Sequence, residues 1–148
     1  MTEEAIEAPR IVVGVDGSDS SKAALRWAVR QAELTGSAVE ALTSWELPKT
    51  YGWPSLSAEV PDYEKDAGQA LAETIRTAVG TGHPVEIRPL VVRGHAAAAL
   101  LDAAHGATLL VVGNRGHGGF AEALLGSVSQ QCVQHASCPV VVVRGPGS

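Results

Sequence analysis

The sequence predicts an α/β fold: a single five-stranded parallel sheet, strand order 3-2-1-4-5, with helices on both faces. Three observations predict it. Short β-branched runs alternate with stretches of helical periodicity along the whole chain. The first and fourth runs are almost wholly apolar, as central strands buried on both faces must be. The third run contains Glu86, Arg88 and Pro89, and a proline, which has no N–H to give a ladder, belongs at a sheet edge.

Each element follows from its residues. Arg10–Val15 is the first strand, stopped by Asp16-Gly17-Ser18. Ser20–Thr35 sets Ala24, Leu25, Ala28, Ala32 and Leu34 at helical spacing, and Gly36 ends the helix. Ala38–Trp45 is the second strand. Residues 46–61, rich in Pro, Gly, Ser and aromatics, read as an excursion loop. Asp62–Thr81 is helical, with a stripe of Ala67, Leu71, Ile75 and Ala78. Val85–Val92 is the third strand and Arg93-Gly94-His95 a turn. Ala96–His105 is a helix ended by Gly106, Thr108–Val112 the fourth strand, and Pro139–Arg144 the last, after a loop and helix that run to Ser137.

With 148 residues and 45% hydrophobic content, residues 1–148 are expected to form one domain with an ordered core over about 10–144. The net charge of −5 argues against nucleic-acid binding through a basic face. The apolar stretch 96–112 is broken by Asp102 and His105, so no membrane span is expected. Met1–Arg10 is acidic and lacks an apolar core, unlike a signal peptide, and two cysteines without an export signal predict a reducing cytoplasm.

The most informative local feature follows the fourth strand. Gly113-Asn114-Arg115-Gly116, nine residues, then Gly126-Ser127 join a buried strand to two glycine turns and a helix start. Glycine admits close backbone approach, and a helix N-terminus offers unpaired N–H groups with partial positive charge. These are the parts of a phosphate site. Ser127-Val128-Ser129-Gln130 fits the capping-box spacing. One helix run straight from Ala121 would bury Gly126 mid-helix at about 1 kcal/mol. A short turn near Ala121–Leu125 and a main helix from Ser127 is therefore expected. Locally, a flexible loop with an ordinary N-cap explains these residues equally well. The fold argument separates the readings: strand order 3-2-1-4-5 puts the switch point between strands one and four, and ligands bind beyond the carboxyl ends there. Those ends are Asp16-Gly17 and Gly113–Gly116.

Val13-Gly14-Val15-Asp16-Gly17-Ser18, the glycine string and the ending Ser137-Cys138-Pro139-Val140-Val141-Val142-Val143 resemble the universal stress protein family, in its ATP-binding branch. The likeness covers about residues 10–144 and implies the same strand order, adenine-nucleotide binding and a cytoplasmic, homodimeric, stress-linked role. By position, it implies that Gly14, Val15 and Asp16 face the nucleoside and that Ser44 lines the adenine pocket through its backbone. Gly113 would approach the ribose, and Arg115, Gly116, Gly126, Ser127, Val128 and Ser129 would surround the phosphates. The expected ligand is ATP, with Mg²⁺ held mainly through the phosphates.

Other motifs are weaker. Gly116-His117-Gly118-Gly119-Phe120-Ala121 fits a dinucleotide fingerprint formally, but no Asp or Glu follows Glu122 to meet a ribose. No Gly-Lys-Ser or Gly-Lys-Thr occurs, so phosphate charge has to be met by backbone N–H groups, Arg115 and a bound Mg²⁺, with His117 as a further candidate. Cys132, His135 and Cys138 lack a fourth metal ligand, and Cys132 reads as core. His95, after the third strand, is either near the ligand or a plain helix start. Trp45, Tyr51, Trp53 and Tyr63 flank the long loop, which either packs on the domain, closes over adenine or meets a partner. Val140–Val143, an apolar edge strand, predicts pairing with a second copy.

Three functions stand at this point: a nucleotide-binding regulator acting on a protein partner, a slow ATP hydrolase, and a nucleotide-independent partner-binding protein. No residue supplies a convincing base for hydrolysis; Glu122 is a candidate by proximity alone.

Overall fold

The computed structural model describes residues 9–47, 62–115 and 125–145. The elements are β1 (Arg10–Gly14), α1 (Asp19–Thr35), β2 (Ala38–Trp45), α2 (Tyr63–Val79), β3 (Ile87–Arg93), α3 (Ala96–Ala103), β4 (Leu109–Gly113), α4 (Ser127–His135) and β5 (Val140–Val143). All strand pairs are parallel, in the predicted order β3-β2-β1-β4-β5. In register, Val12 of β1 lies between Glu40 of β2 and Leu110 of β4.

Alternation along the strands divides the core into two layers. Ile11, Val13, Val39, Ala41 and Val111 pack with Ala24, Leu25 and Ala28 of α1 and Leu71 of α2. Val12, Leu42, Leu110 and Val112 pack on the other face with Leu100 of α3 and Cys132 of α4. Cys132 is fully buried, and burial pushes its thiol up to about 11.

Helix ends follow their cap chemistry. The Ser18 side chain accepts from the Ser21 N–H at 3.2 Å, so α1 begins at Asp19, one residue before the sequence expectation. Asp62 accepts from the Lys65 N–H at 3.0 Å and caps α2, which stops at Val79 ahead of Gly80. The end of α3 tightens into three-residue bonds, Ala107 N–H to the Ala104 carbonyl at 3.0 Å, and closes the helix at Ala103 rather than His105.

β3 starts at Ile87 rather than Val85, and just ahead of it the His83 ring lies 2.8 Å from the Val85 carbonyl through Nδ1. Pro89 sits at the edge as predicted. The Val39 N–H bonds the Glu86 carbonyl at 2.9 Å, so alternate residues from Glu86 face β2 and Pro89 turns its missing donor outward. β5 occupies the opposite edge, and all four of its valines are half-buried.

Candidate functional site

The carboxyl ends of β1 and β4 lie side by side at the switch point, each followed by a polar turn. After β1, Gly17 adopts a φ of 83°, which a residue with a side chain rarely tolerates. This turn lets Oδ1 of Asp16 accept from the Ser18 N–H at 2.9 Å and from the Ser18 hydroxyl at 2.5 Å. Asp16 itself is exposed. Val15 is buried, and its N–H extends the ladder to the Leu42 carbonyl at 2.8 Å. A Cβ at Gly14 would stand 3.0 Å from Cδ1 of Leu100, so the strand end is packed from below by α3. Ser44 is half-buried near the end of β2, in register with Val92.

After β4 the chain is held by backbone and hydroxyl groups. Asn114 is buried at 4% exposure and joins three segments. Its N–H donates to the Val143 carbonyl at 2.9 Å, its carbonyl accepts from the Gly126 N–H at 2.7 Å, and its Oδ1 accepts from the Gly145 N–H at 3.3 Å. The loop that leaves β4 is therefore pinned at both ends. Arg115 comes next, with its backbone against the Ser20 side chain of α1. Nε of Arg115 is buried and has no hydrogen-bond partner among the described residues. An unpaired buried guanidinium donor is costly unless an acceptor arrives.

α4 starts at Ser127 as expected, but without the capping box read from the sequence. The cap is Gly126, with φ −72° and ψ 168°, and it has no side chain to bond the first turn. The Gln130 N–H reaches the Gly126 carbonyl at 2.9 Å, which makes Ser127 the first helical residue and removes the capping box. Ser127 is exposed. Ser129 is 2% exposed, and its hydroxyl donates to the Gly126 carbonyl at 3.1 Å and approaches the Asn114 carbonyl at 3.5 Å. Val128 packs against the α3–α4 core layer. Gly116, His117, Phe120, Glu122 and most of the short turn expected over Ala121–Leu125 lie outside the described residues, as do Tyr51 and Trp53.

Two further groups stand at this edge of the sheet. His95 is the N-cap of α3, exposed and making no side-chain cap bond. Trp45, at the end of β2, stacks with Tyr63 at 6.3 Å between ring centroids, and the Arg93 guanidinium lies 5.6 Å from the Trp45 ring centroid.

Ser20 and Asn114 are the residues that sequence reading missed. Their signal is tertiary: Ser20 meets Arg115 across 95 positions of chain.

The described residues thus gather hydroxyls, close-packed glycines, an α4 N-terminus without a side-chain cap and an unsatisfied Arg donor at the switch point of a doubly wound sheet. That is the architecture of α/β domains that take a ligand at the strand ends. The Universal stress protein family model matches residues 8–144, and the chain belongs to this family. A universal stress protein of Mycolicibacterium smegmatis is 35% identical over 141 residues, which cover 91% of this chain and 48% of that protein. The chain spans about half the length of the curated relatives it matches. A universal stress protein solved in complex with cAMP aligns with a TM-score of 0.66 and 26% identity, over 93% of this chain and 98% of that one. The universal stress protein of Archaeoglobus fulgidus in complex with dAMP has the same fold, with a TM-score of 0.61, 22% identity and coverage of 94% and 99%. Among the described residues, no helix is long and apolar enough to cross a membrane.

Proposed function

We propose that this chain binds an adenine nucleotide at the β1–β4 switch point and serves as a cytoplasmic stress-response regulator. ATP is the proposed ligand, with Mg²⁺ held through the phosphate oxygens. One observation carries the reading: the buried Nε of Arg115, without an acceptor among the described residues, next to an α4 N-terminus whose cap, Gly126, has no side chain. A phosphate satisfies both, since it brings acceptor oxygens to the guanidinium and negative charge to the helix end. The relative with bound cAMP supports an adenine nucleotide as the ligand class.

In this reading Gly14, Val15 and Asp16 border the nucleoside, Ser44 lines the base pocket through its backbone and Gly113 borders the ribose. Arg115, Gly116, Gly126, Ser127, Val128 and Ser129 surround the phosphates. Binding is preferred to hydrolysis because no residue supplies a convincing base: Asp16 is assigned to the nucleoside side and Glu122 is a candidate by proximity alone. The half-exposed valine edge of β5 is proposed to pair with a second copy, which would close the sheet edge as a two-fold dimer that a protein partner reads.

The test is calorimetric titration of nucleotide-stripped protein, supplemented with Mg²⁺, against ATP, AMP, cyclic AMP and GTP. Selective binding of ATP at about micromolar Kd is expected. No binding by any of the four would sink the nucleotide reading. A monomeric mass by light scattering at micromolar concentration would remove the dimer.

A further inference from the structure

We infer that Ser20 is a positioning residue for Arg115, an assignment that rests on the nucleotide reading above. The Ser20 hydroxyl grips both backbone groups of Arg115. Oγ donates to the Arg115 carbonyl at 2.5 Å and accepts from the Arg115 N–H at 3.3 Å. The Ser18 hydroxyl adds a longer contact to the same carbonyl, at 3.3 Å. A single hydroxyl that meets the donor and acceptor of one residue fixes the direction in which that residue's side chain leaves the backbone.

The grip is itself immobilised. Ser20 is 5% exposed and wedged between two glycines from distant parts of the chain. A Cβ at Gly113 would lie 2.7 Å from the Ser20 carbonyl carbon, and one at Gly145 would lie 2.8 Å from its Cα. Neither position admits a larger residue without shifting the start of α1. These contacts hold the first turn of α1 against the ends of β4 and β5, so the Ser20 hydroxyl has one place to point. Among the described residues, the Arg115 backbone takes its hydrogen bonds only from this α1 turn, through Ser20 and Ser18. Ser20 therefore acts on a phosphate through the Arg115 guanidinium, without touching the ligand.

The experiment compares ATP with adenosine, which lacks phosphates, in the unaltered chain, in Ser20→Ala, in Arg115→Ala and in the double variant. Alanine is smaller than serine and free of new contacts, so circular dichroism of Ser20→Ala should match that of the unaltered chain. Ser20→Ala is expected to weaken ATP about three- to tenfold, the worth of a lost hydrogen bond or two, and to change adenosine by less than about twofold. With Arg115 already alanine, removing the Ser20 hydroxyl should change ATP affinity by less than about twofold, because the group it places is gone. The role is overturned by undiminished ATP affinity in Ser20→Ala, by an equal loss for adenosine, or by a full loss persisting in the Arg115→Ala background. Failure of the unaltered chain to bind ATP overturns the nucleotide reading and this role with it. Binding by the unaltered chain with no effect of Ser20→Ala overturns this role alone.

Discussion

The two ends of the parallel sheet are built from opposite chemistry. At the amino ends of the strands, charges answer each other. Arg10 bonds Glu40 at 3.1 Å, and through its two terminal nitrogens it also reaches the Ala103 carbonyl at 2.9 Å and the His105 carbonyl at 2.6 Å. A cation is thus placed at the C-terminal end of α3, where the helix dipole favours it. Glu40 also meets Arg88 at 3.5 Å, and Arg88 bonds Glu86 at 2.9 Å. At the carboxyl ends of β1 and β4, by contrast, the contacts are made by hydroxyls, main-chain groups, the Asn114 amide and the Asp16 carboxylate, and Arg115 keeps a buried Nε without a partner among the described residues. The first end is saturated and holds the fold. The second leaves a donor unspent, which is what the proposed binding edge requires.

This contrast predicts that damage to the two ends should separate binding from stability. The largest effect belongs to Gly126→Asp. Aspartate is a good N-cap, so α4 should remain folded or gain stability, while the added carboxylate occupies the phosphate position. ATP affinity should fall at least about a hundredfold while the urea midpoint stays the same or rises. Unaltered affinity would mean that the phosphate lies elsewhere.

Arg10→Ala should do the reverse. It leaves Glu40, which is 15% exposed, without this partner and removes two bonds to the α3 end, at a cost of about 1–3 kcal/mol by urea unfolding. ATP affinity of the folded variant should stay within about twofold. A matching loss of affinity would show that the ends are coupled, and the comparison would fail.

The smallest effect is expected at Glu86. The Arg88 guanidinium, through its hydrogen bond and then its charge, holds the Glu86 carboxyl below its ordinary 4.5. A carboxylate with a lowered folded value adds stability that is present above 4.5 and fades as pH falls through that lower folded value. Because the pair is fully exposed, solvent screening keeps this slope shallow. Thermal melts from neutral pH down to about pH 3 should show slightly less acid sensitivity in Glu86→Gln than in the unaltered chain. An identical slope in both would mean that the Arg88 pair does not form in solution.

The sheet was legible because burial leaves its mark on composition. The apolar runs of β1 and β4 and the proline in β3 were enough to order the strands. Helical periodicity and Gly36 likewise bounded α1 and α2 to within a residue or two, although the caps Ser18 and Asp62 were not read as such. The main helix starts at Ser127 as the sequence suggested, but its cap is Gly126 and not Ser127, because the Gly126 carbonyl already accepts the first helical bond. The β1–β4 switch point itself was legible through the strand order, which the glycines alone did not decide. Ser20 and Asn114 were not, because nothing local distinguishes a gripping hydroxyl or a bridging amide from any surface polar residue. Their partners arrive only once the sheet has formed. The charge network at the other end was hidden in the same way: Arg10 and Glu40 stand 30 positions apart.

The contact of Gly145 with Ser20 and with the Asn114 side chain has a practical side. Whatever is attached after this glycine starts beside the loop that ends β4, within the hydrogen bonds that shape it. An affinity handle or fluorophore joined there would perturb the very region a binding assay is meant to report on. One joined ahead of Pro9 enters at the far, saturated end of the sheet, where the Pro9 carbonyl already accepts from Ala38 at 3.0 Å, and is the better choice for a probe.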